Sequence, residues 1–137
     1  MGLDVGDKRI GVALSDPEGV LAYQLTTIFS KGEEVDLEAI LNLVRQHGVE
    51  RIVVGLPLSM DGSIGQQAEK VLAFSRLLAQ RTNTPVDHWD ERLSTVAANR
   101  AMMEAGLKRA KRKARRDSLA AVIMLQAYLD RQRLSSR

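Results

Sequence analysis

Asp4 stands in a short apolar stretch bounded by glycines, Gly2-Leu3-Asp4-Val5-Gly6. On a strand Gly2, Asp4 and Gly6 share one face, so the carboxylate has bare backbone beside it and room for an ion or a phosphate. An uncompensated charge on a central strand costs on the order of several kcal/mol, which asks for a partner. The plainer role for Asp4 is to cap the Gly6-Asp7-Lys8 turn or to pair with Lys8. Glu91 closes the stretch VDHWDE, directly ahead of Arg92. Strand alternation puts Asp90 and Glu91 on opposite faces, and Glu91 is expected to be the one that faces Asp4. Its plainer role is a surface pair with Arg92, which would stabilise little. Asp117 opens a predicted helix after a basic run, where a carboxylate also serves the helix-start amides and dipole. Together, three oxygen donors from distant segments suit Mg²⁺ or Mn²⁺. Two such ions about 4 Å apart can hold the attacking and leaving oxygens of an in-line phosphoryl displacement. That chemistry requires no nucleophilic serine or cysteine. The chain has no cysteine, and His47 and His88 lack metal-ligand spacing and read as packing or solvent-facing residues.

The elements that must position these acids follow from periodicity. Leu3–Val5 reads as a short strand, Arg9–Ser15 alternates Ile10, Val12 and Leu14 against small residues, and Val20–Ile28 reads as a third strand. Asp16-Pro17-Glu18-Gly19 is a turn in which proline presets φ. Glu33–His47 carries Leu37, Ile40, Leu41 and Val44 on a helical stripe that Gly48 ends. Arg51–Leu56, RIVVGL, is almost wholly apolar, as a strand covered on both faces should be. A second helix spans Gly65–Arg81, and Pro85–Asp90 is the next strand. Ser94 or Thr95 can cap a helix running to Gly106, and Asp117–Arg131 forms the last one. The expected fold is α/β: a mixed five-stranded sheet, β-β-β-α-β-α-β-α-α, with helices on its faces. Right-handed crossovers place the Arg51–Leu56 strand beside the first strand and the Pro85–Asp90 strand outside it. Asp4 and Glu91 then meet near the carboxyl ends of the strands, where open α/β sheets bind their ligands.

The 137 residues suit one domain spanning 1–137, with 45% hydrophobic and 27% charged residues, a globular balance. No apolar stretch approaches a bilayer span and no secretory signal is visible, so a cytoplasmic location is expected. The net charge of +3 is small, but KRAKRKARR, 108–116, concentrates it. Like charges repel, so this run is expected to be a loop, and one that draws a polyanion through phosphate contacts. A solvated loop with no partner is the alternative. Aromatic residues make up only 4%, which argues against a base-stacking platform.

Four ordered segments, GLDVGDKRIGVALSD (2–16), IVVGLPLSMDGS (52–63), DERLST (90–95) and DSLAAVIMLQAYLD (117–130), resemble the YqgF/RuvX family. Its bacterial members are described as Holliday junction resolvases or as nucleases of pre-16S ribosomal RNA. The resemblance covers essentially the whole chain. It implies an RNase H-like fold related to the RuvC resolvases, with the catalytic and metal-holding acids on Asp4, Glu91 and Asp117. It also places Gly2, Gly6, Lys8, Arg9, Gly11, Gly55, Pro57, Arg92, Ser94 and Thr95 on the surfaces around the site. The expected nucleic-acid contacts are therefore Lys8, Arg9, Arg92, Ser94 and Thr95. The basic run adds Lys108, Arg109, Lys111, Arg112, Lys113, Arg115 and Arg116. Family members usually carry a few more apolar residues ahead of GLDVG. With the first strand starting at Met1, its pairing is shortened and Asp4 comes close to the terminal ammonium.

The leading expectation is a nuclease, using Mg²⁺ or Mn²⁺, that acts on RNA in 5′ maturation of pre-16S ribosomal RNA. A resolvase of four-way DNA junctions is the second. Resolution needs two coordinated cuts and hence a dimer, whereas the sequence shows no committed dimer seam, so a monomer or weak homodimer is expected. An actin-like ATPase also has a glycine-bounded Asp on its first strand, but it needs a second phosphate loop and an adenosine pocket, for which 137 residues leave no room. A non-catalytic RNA-binding assembly factor would not require all three acids.

Overall fold

The computed structural model describes residues 1–94 and 110–135, with side chains for 1–94 and 119–135. Three strands come first: β1 (Gly2–Val5), β2 (Arg9–Ser15) and β3 (Ala22–Phe29). After them run α1 (Glu33–His47), β4 (Ile52–Leu56), α2 (Gln66–Gln80) and β5 (Val86–Asp90). A single 3₁₀ turn, Glu91–Leu93, follows β5, and α3 occupies Ala110–Ser135. The five strands form one mixed sheet in the order β3-β2-β1-β4-β5. β1 and β2 are antiparallel, as are β2 and β3, while β4 runs parallel to β1 and β5 to β4. β1 is therefore central, as the right-handed crossovers require.

Alternation along the strands sorts the core into two layers. Leu3, Ile10, Val12, Leu14, Ile52 and Val54 face one side and pack with Leu37, Ile40 and Leu41 of α1 and Val71, Phe74 and Leu78 of α2. Ala13, Val53 and Trp89 face the other, where Ala120, Ala121, Met124, Leu125 and Tyr128 of α3 cover them. The close fit of α3 depends on Gly2. A Cβ there would stand 2.9 Å from Leu125 Cβ and 3.3 Å from Met124 Cε.

Local chemistry sets the element ends. Asp36, inside the first turns of α1, accepts hydrogen bonds from Ser30 Oγ at 2.5 Å and the Lys31 amide at 3.0 Å, tying the β3–α1 connection down. At the other end of α1, Gly48 takes the left-handed conformation (φ 59°), which a side chain disfavours, and its N–H reaches back to the Arg45 carbonyl.

Two expectations change. The basic run is not wholly a loop: from Ala110 onward it is the first part of α3, which begins well before Asp117 and ends at Ser135 rather than Arg131. Lysine, arginine and alanine are strong helix formers, and like-charge repulsion costs only a few tenths of a kcal/mol per pair, about 0.2–0.5. Once the apolar stripe from Ala120 to Tyr128 is docked, adding residues to the helix needs no new nucleus. The helix expected between Ser94 or Thr95 and Gly106 lies outside the described residues.

Candidate active site

The strand register brings distant residues into one row on the face that α3 covers. Asp4 pairs with Gly11 of β2. Continuing the Leu3–Val54 pairing by one residue sets Gly55 of β4 on the other side of Asp4. Gly55 in turn pairs with Trp89 of β5. Just beyond β5, the 3₁₀ turn brings Glu91 back over β4: a Cβ on Gly55 would stand 2.7 Å from Glu91 Oε2. Asp4 and Glu91 are thus brought to the same face at the carboxyl ends of parallel strands, only 5% and 4% exposed. Gly11 and Gly55 flank Asp4 without side-chain bulk.

Asp90 points elsewhere, as strand alternation requires. Its Oδ1 accepts the Arg92 amide at 3.0 Å, which caps the 3₁₀ turn. Its carboxylate also receives Arg92 Nε at 3.0 and 3.1 Å and Nη2 at 2.6 Å. The guanidinium holds the Asp90 carboxyl below the usual carboxylate range. Ser94 closes the same turn: its amide and its hydroxyl both donate to the Glu91 carbonyl, at 3.3 and 3.2 Å.

α3 descends across this face. The Ala121 carbonyl lies over Gly2, while farther along the helix Gln126 bonds to Ala22 and Val20 at the opposite end of the sheet. Position 117, one helical turn ahead of Ala121 on the same stripe, therefore lies toward the carboxylate end. The side chain of Asp117 is outside the described residues, as are those of Lys111, Arg112, Lys113, Arg115 and Arg116. Thr95, Lys108 and Arg109 are likewise outside them.

Lys8 and Arg9 belong to the β1–β2 connection, at the same end as Asp4. Lys8 is exposed, and the Arg9 guanidinium lies 5.7 Å from the centre of the Phe29 ring. His88 is on the other face of β5, where its Nε2 is 2.6 Å from Ser75 Oγ, and burial lowers its pKa. Around Asp4 and Glu91 the donors are carboxylate oxygens, the set a hard dication prefers over thiolate or imidazole sites. An open cleft of about 570 Å³ sits at the opposite end of the molecule, lined by Leu14, Asp16, Tyr23, Val49, Leu125 and Tyr128. It is remote from the carboxylates and contains none of the expected site residues.

Sequence reasoning treats Arg92 as a nucleic-acid contact and misses its attachment to the β4–α2 loop. Arg92 Nη1 donates to the Met60 carbonyl at 3.2 Å. The spacing Asp90-x-Arg92 across a chain turn is the available signal, since an Asx side chain commonly caps the amide two residues on.

A β3-β2-β1-β4-β5 sheet with an acid on its central strand and helices on both faces defines the RNase H-like class. The chain is similar in fold to Thermus thermophilus RuvC in complex with a Holliday junction substrate, with a TM-score of 0.61 at 13% identity, covering 98% of this chain and 94% of that one. A second structure of T. thermophilus RuvC gives 0.52 at 15% identity, covering 96% and 94%. Within that class the chain belongs to the RuvX family, whose model, described as Holliday junction resolvase, matches residues 1–131. A relative from Moorella thermoacetica is 55% identical over 131 residues, 96% of this chain and 94% of its own length. One from Clostridium kluyveri is 53% identical over 131 residues, 96% of each. Both carry the name "Putative pre-16S rRNA nuclease". By these descriptions the family is one of nucleases.

Proposed function

We propose that this protein is a metal-dependent nuclease that hydrolyses phosphodiester bonds in RNA, in 5′ maturation of pre-16S ribosomal RNA in the cytoplasm. Asp4 and Glu91, buried on one face across the bare backbone of Gly55, carry this reading. Asp4, Glu91 and Asp117 would hold Mg²⁺ or Mn²⁺. Held there, such an ion would supply charge neutralisation at the scissile phosphate and activation of the attacking water. Two buried carboxylates on one face gain from a dication, which offsets both their mutual repulsion and their lost hydration.

The chain's own part is to fix geometry. Asp4 is held by pairing on both sides of β1, and Glu91 by a turn that Asp90 caps and Ser94 closes. The glycine-lined floor admits a sugar-phosphate backbone close to the carboxylates. Lys8 and the basic start of α3 supply positive charge for phosphates, a sequence-independent source of affinity. Among the described residues no helix is long and apolar enough to cross a membrane, and a cytoplasmic substrate agrees with that.

The family description, Holliday junction resolvase, favours a second reading: resolution of four-way DNA junctions, in which the same acids would take the same roles. One assay separates them: purified protein and Asp4→Asn incubated with labelled precursor RNA and with a DNA junction, in Mn²⁺ or EDTA. Metal-dependent RNA cleavage that Asp4→Asn abolishes supports the ribonuclease. Cleavage of the junction alone promotes the resolvase. Cleavage of neither, by folded protein with metal, overturns the enzyme reading.

A further inference from the structure

We propose that Arg92 is a positioning residue, which clamps the β4–α2 loop to the segment carrying Glu91, rather than a phosphate contact. The inference rests on the nuclease reading for its catalytic consequence but not for its structural one. Arg92 spans two chain segments: Nε and Nη2 grip the Asp90 carboxylate, and Nη1 reaches the Met60 carbonyl. A planar guanidinium offers fixed, forked donors that suit such a bridge, and a lysine ammonium does not.

The loop is shaped to receive it. Gly62 has φ +88°, a conformation side chains rarely adopt, and a Cβ there would stand 3.2 Å from Arg92 Nη1. The loop is otherwise closed on itself. The Gly62 amide bonds to the Ser59 carbonyl at 2.8 Å and the Ser59 amide to the Ser63 carbonyl at 3.0 Å. Asp61 Oδ1 accepts both the amide and the hydroxyl of Ser63. Such a loop keeps its own shape, and Arg92 sets where that shape stands relative to β5. It leaves β4 immediately after Gly55 and Leu56, so the same tie fixes one wall of the site beside Glu91. Asp90 does two jobs here, capping the turn that presents Glu91 and orienting the guanidinium that holds the loop.

The two roles for Arg92 make opposite forecasts. As a clamp, Arg92→Ala and Arg92→Lys both lower kcat about tenfold or more, with the salt dependence of binding unchanged. Asp90→Asn does the same, and the Asp90→Asn/Arg92→Ala double variant loses no more than either single one. Amide hydrogen exchange at 59–63 speeds up in all of them, with thermal unfolding still cooperative. As a phosphate contact, Arg92→Lys retains most activity and Asp90→Asn tightens binding by freeing the guanidinium. The salt slope then flattens in Arg92→Ala by roughly 0.7–0.9, and exchange in the loop stays as in the parent. That second pattern overturns the clamp. If the parent protein cleaves nothing, the nuclease reading fails alone, because the exchange measurement still decides whether Arg92 holds the loop.

Discussion

A methyl group added at Gly55 would meet Glu91 Oε2 at 2.7 Å, and the carboxylate end of Glu91 is what would move. Gly55→Ala is therefore expected to fold, with a midpoint in urea near that of the parent. Divalent-metal affinity, followed by calorimetry, and nuclease rate should each fall by about tenfold or more. A Gly55→Ala protein with full activity would show that Glu91 does not need this seat. Asp4→Asn and Glu91→Gln should cost orders of magnitude in rate, and Asp90→Asn clearly less, since its carboxylate serves Arg92. Equal losses at Asp90 and Glu91 in folded protein would mean that both carboxylates act at the metal. The face of Asp4 is legible in the sequence because alternation and glycine spacing are strictly local signals, whereas Glu91, expected to end the strand, stands on the 3₁₀ turn just beyond it. The seat at Gly55 and the hold on Met60 are not, because each depends on a partner chosen by tertiary register.

Elements are legible where one periodicity runs uninterrupted. The bounds of α1 are the same in sequence and structure, Glu33–His47, because its apolar stripe ends at a glycine that can turn left-handed. The start of α3 differs from its sequence expectation because helix propensity and docking outweigh charge repulsion there. Its fit over the sheet is tight at Gly2, where an added Cβ would press on the Leu125 Cβ and lie 3.4 Å from the Ala121 carbonyl. Neither atom can swing away, so Gly2→Ala should lower stability by about 1–3 kcal/mol in urea titration, the usual effect of overpacking. Farther down α3, Tyr128 OH donates to Asp87 Oδ2 at 2.8 Å, and Arg51 Nη1 reaches the same oxygen at 2.6 Å. The tyrosine hydroxyl and then the guanidinium depress the Asp87 pKa. A depressed carboxylate adds stability above its unfolded pKa, about 4, and loses it as pH falls through the lower folded value. The stability gap between parent and Asp87→Asn should hold from pH 7 to about 4 and shrink below that. A gap that is flat down to pH 2 would remove Asp87 from the acid response.

At the scale of the whole molecule, the proposed function asks the basic start of α3 and the acidic row to act on one substrate. Neutralising four of the charges between Lys108 and Arg116 should weaken binding to all sequences alike, with little change in the rate at saturating substrate. The salt slope should flatten by roughly 0.7–0.9 for each phosphate the protein no longer neutralises. An unchanged slope would return the run to a solvated surface. RNA is recognised by shape, unpaired segments and 2′-hydroxyls, so RNA with unpaired segments should be cut faster than a DNA junction at equal concentration. Symmetric paired nicks by a stable dimer that leaves RNA intact would reverse that order. The row itself also has a bearing on timing. Its members are made at different moments of synthesis: Asp4 well before Gly55, and Gly55 before Glu91. β1 cannot take its central place until β4 exists to pair with it. Ribosomes add about 5–20 residues each second, so an unfinished chain spends seconds holding one carboxylate of the set. A site split across the chain therefore leaves each nascent copy without its full acidic row until β5 and the turn that carries Glu91 have been made.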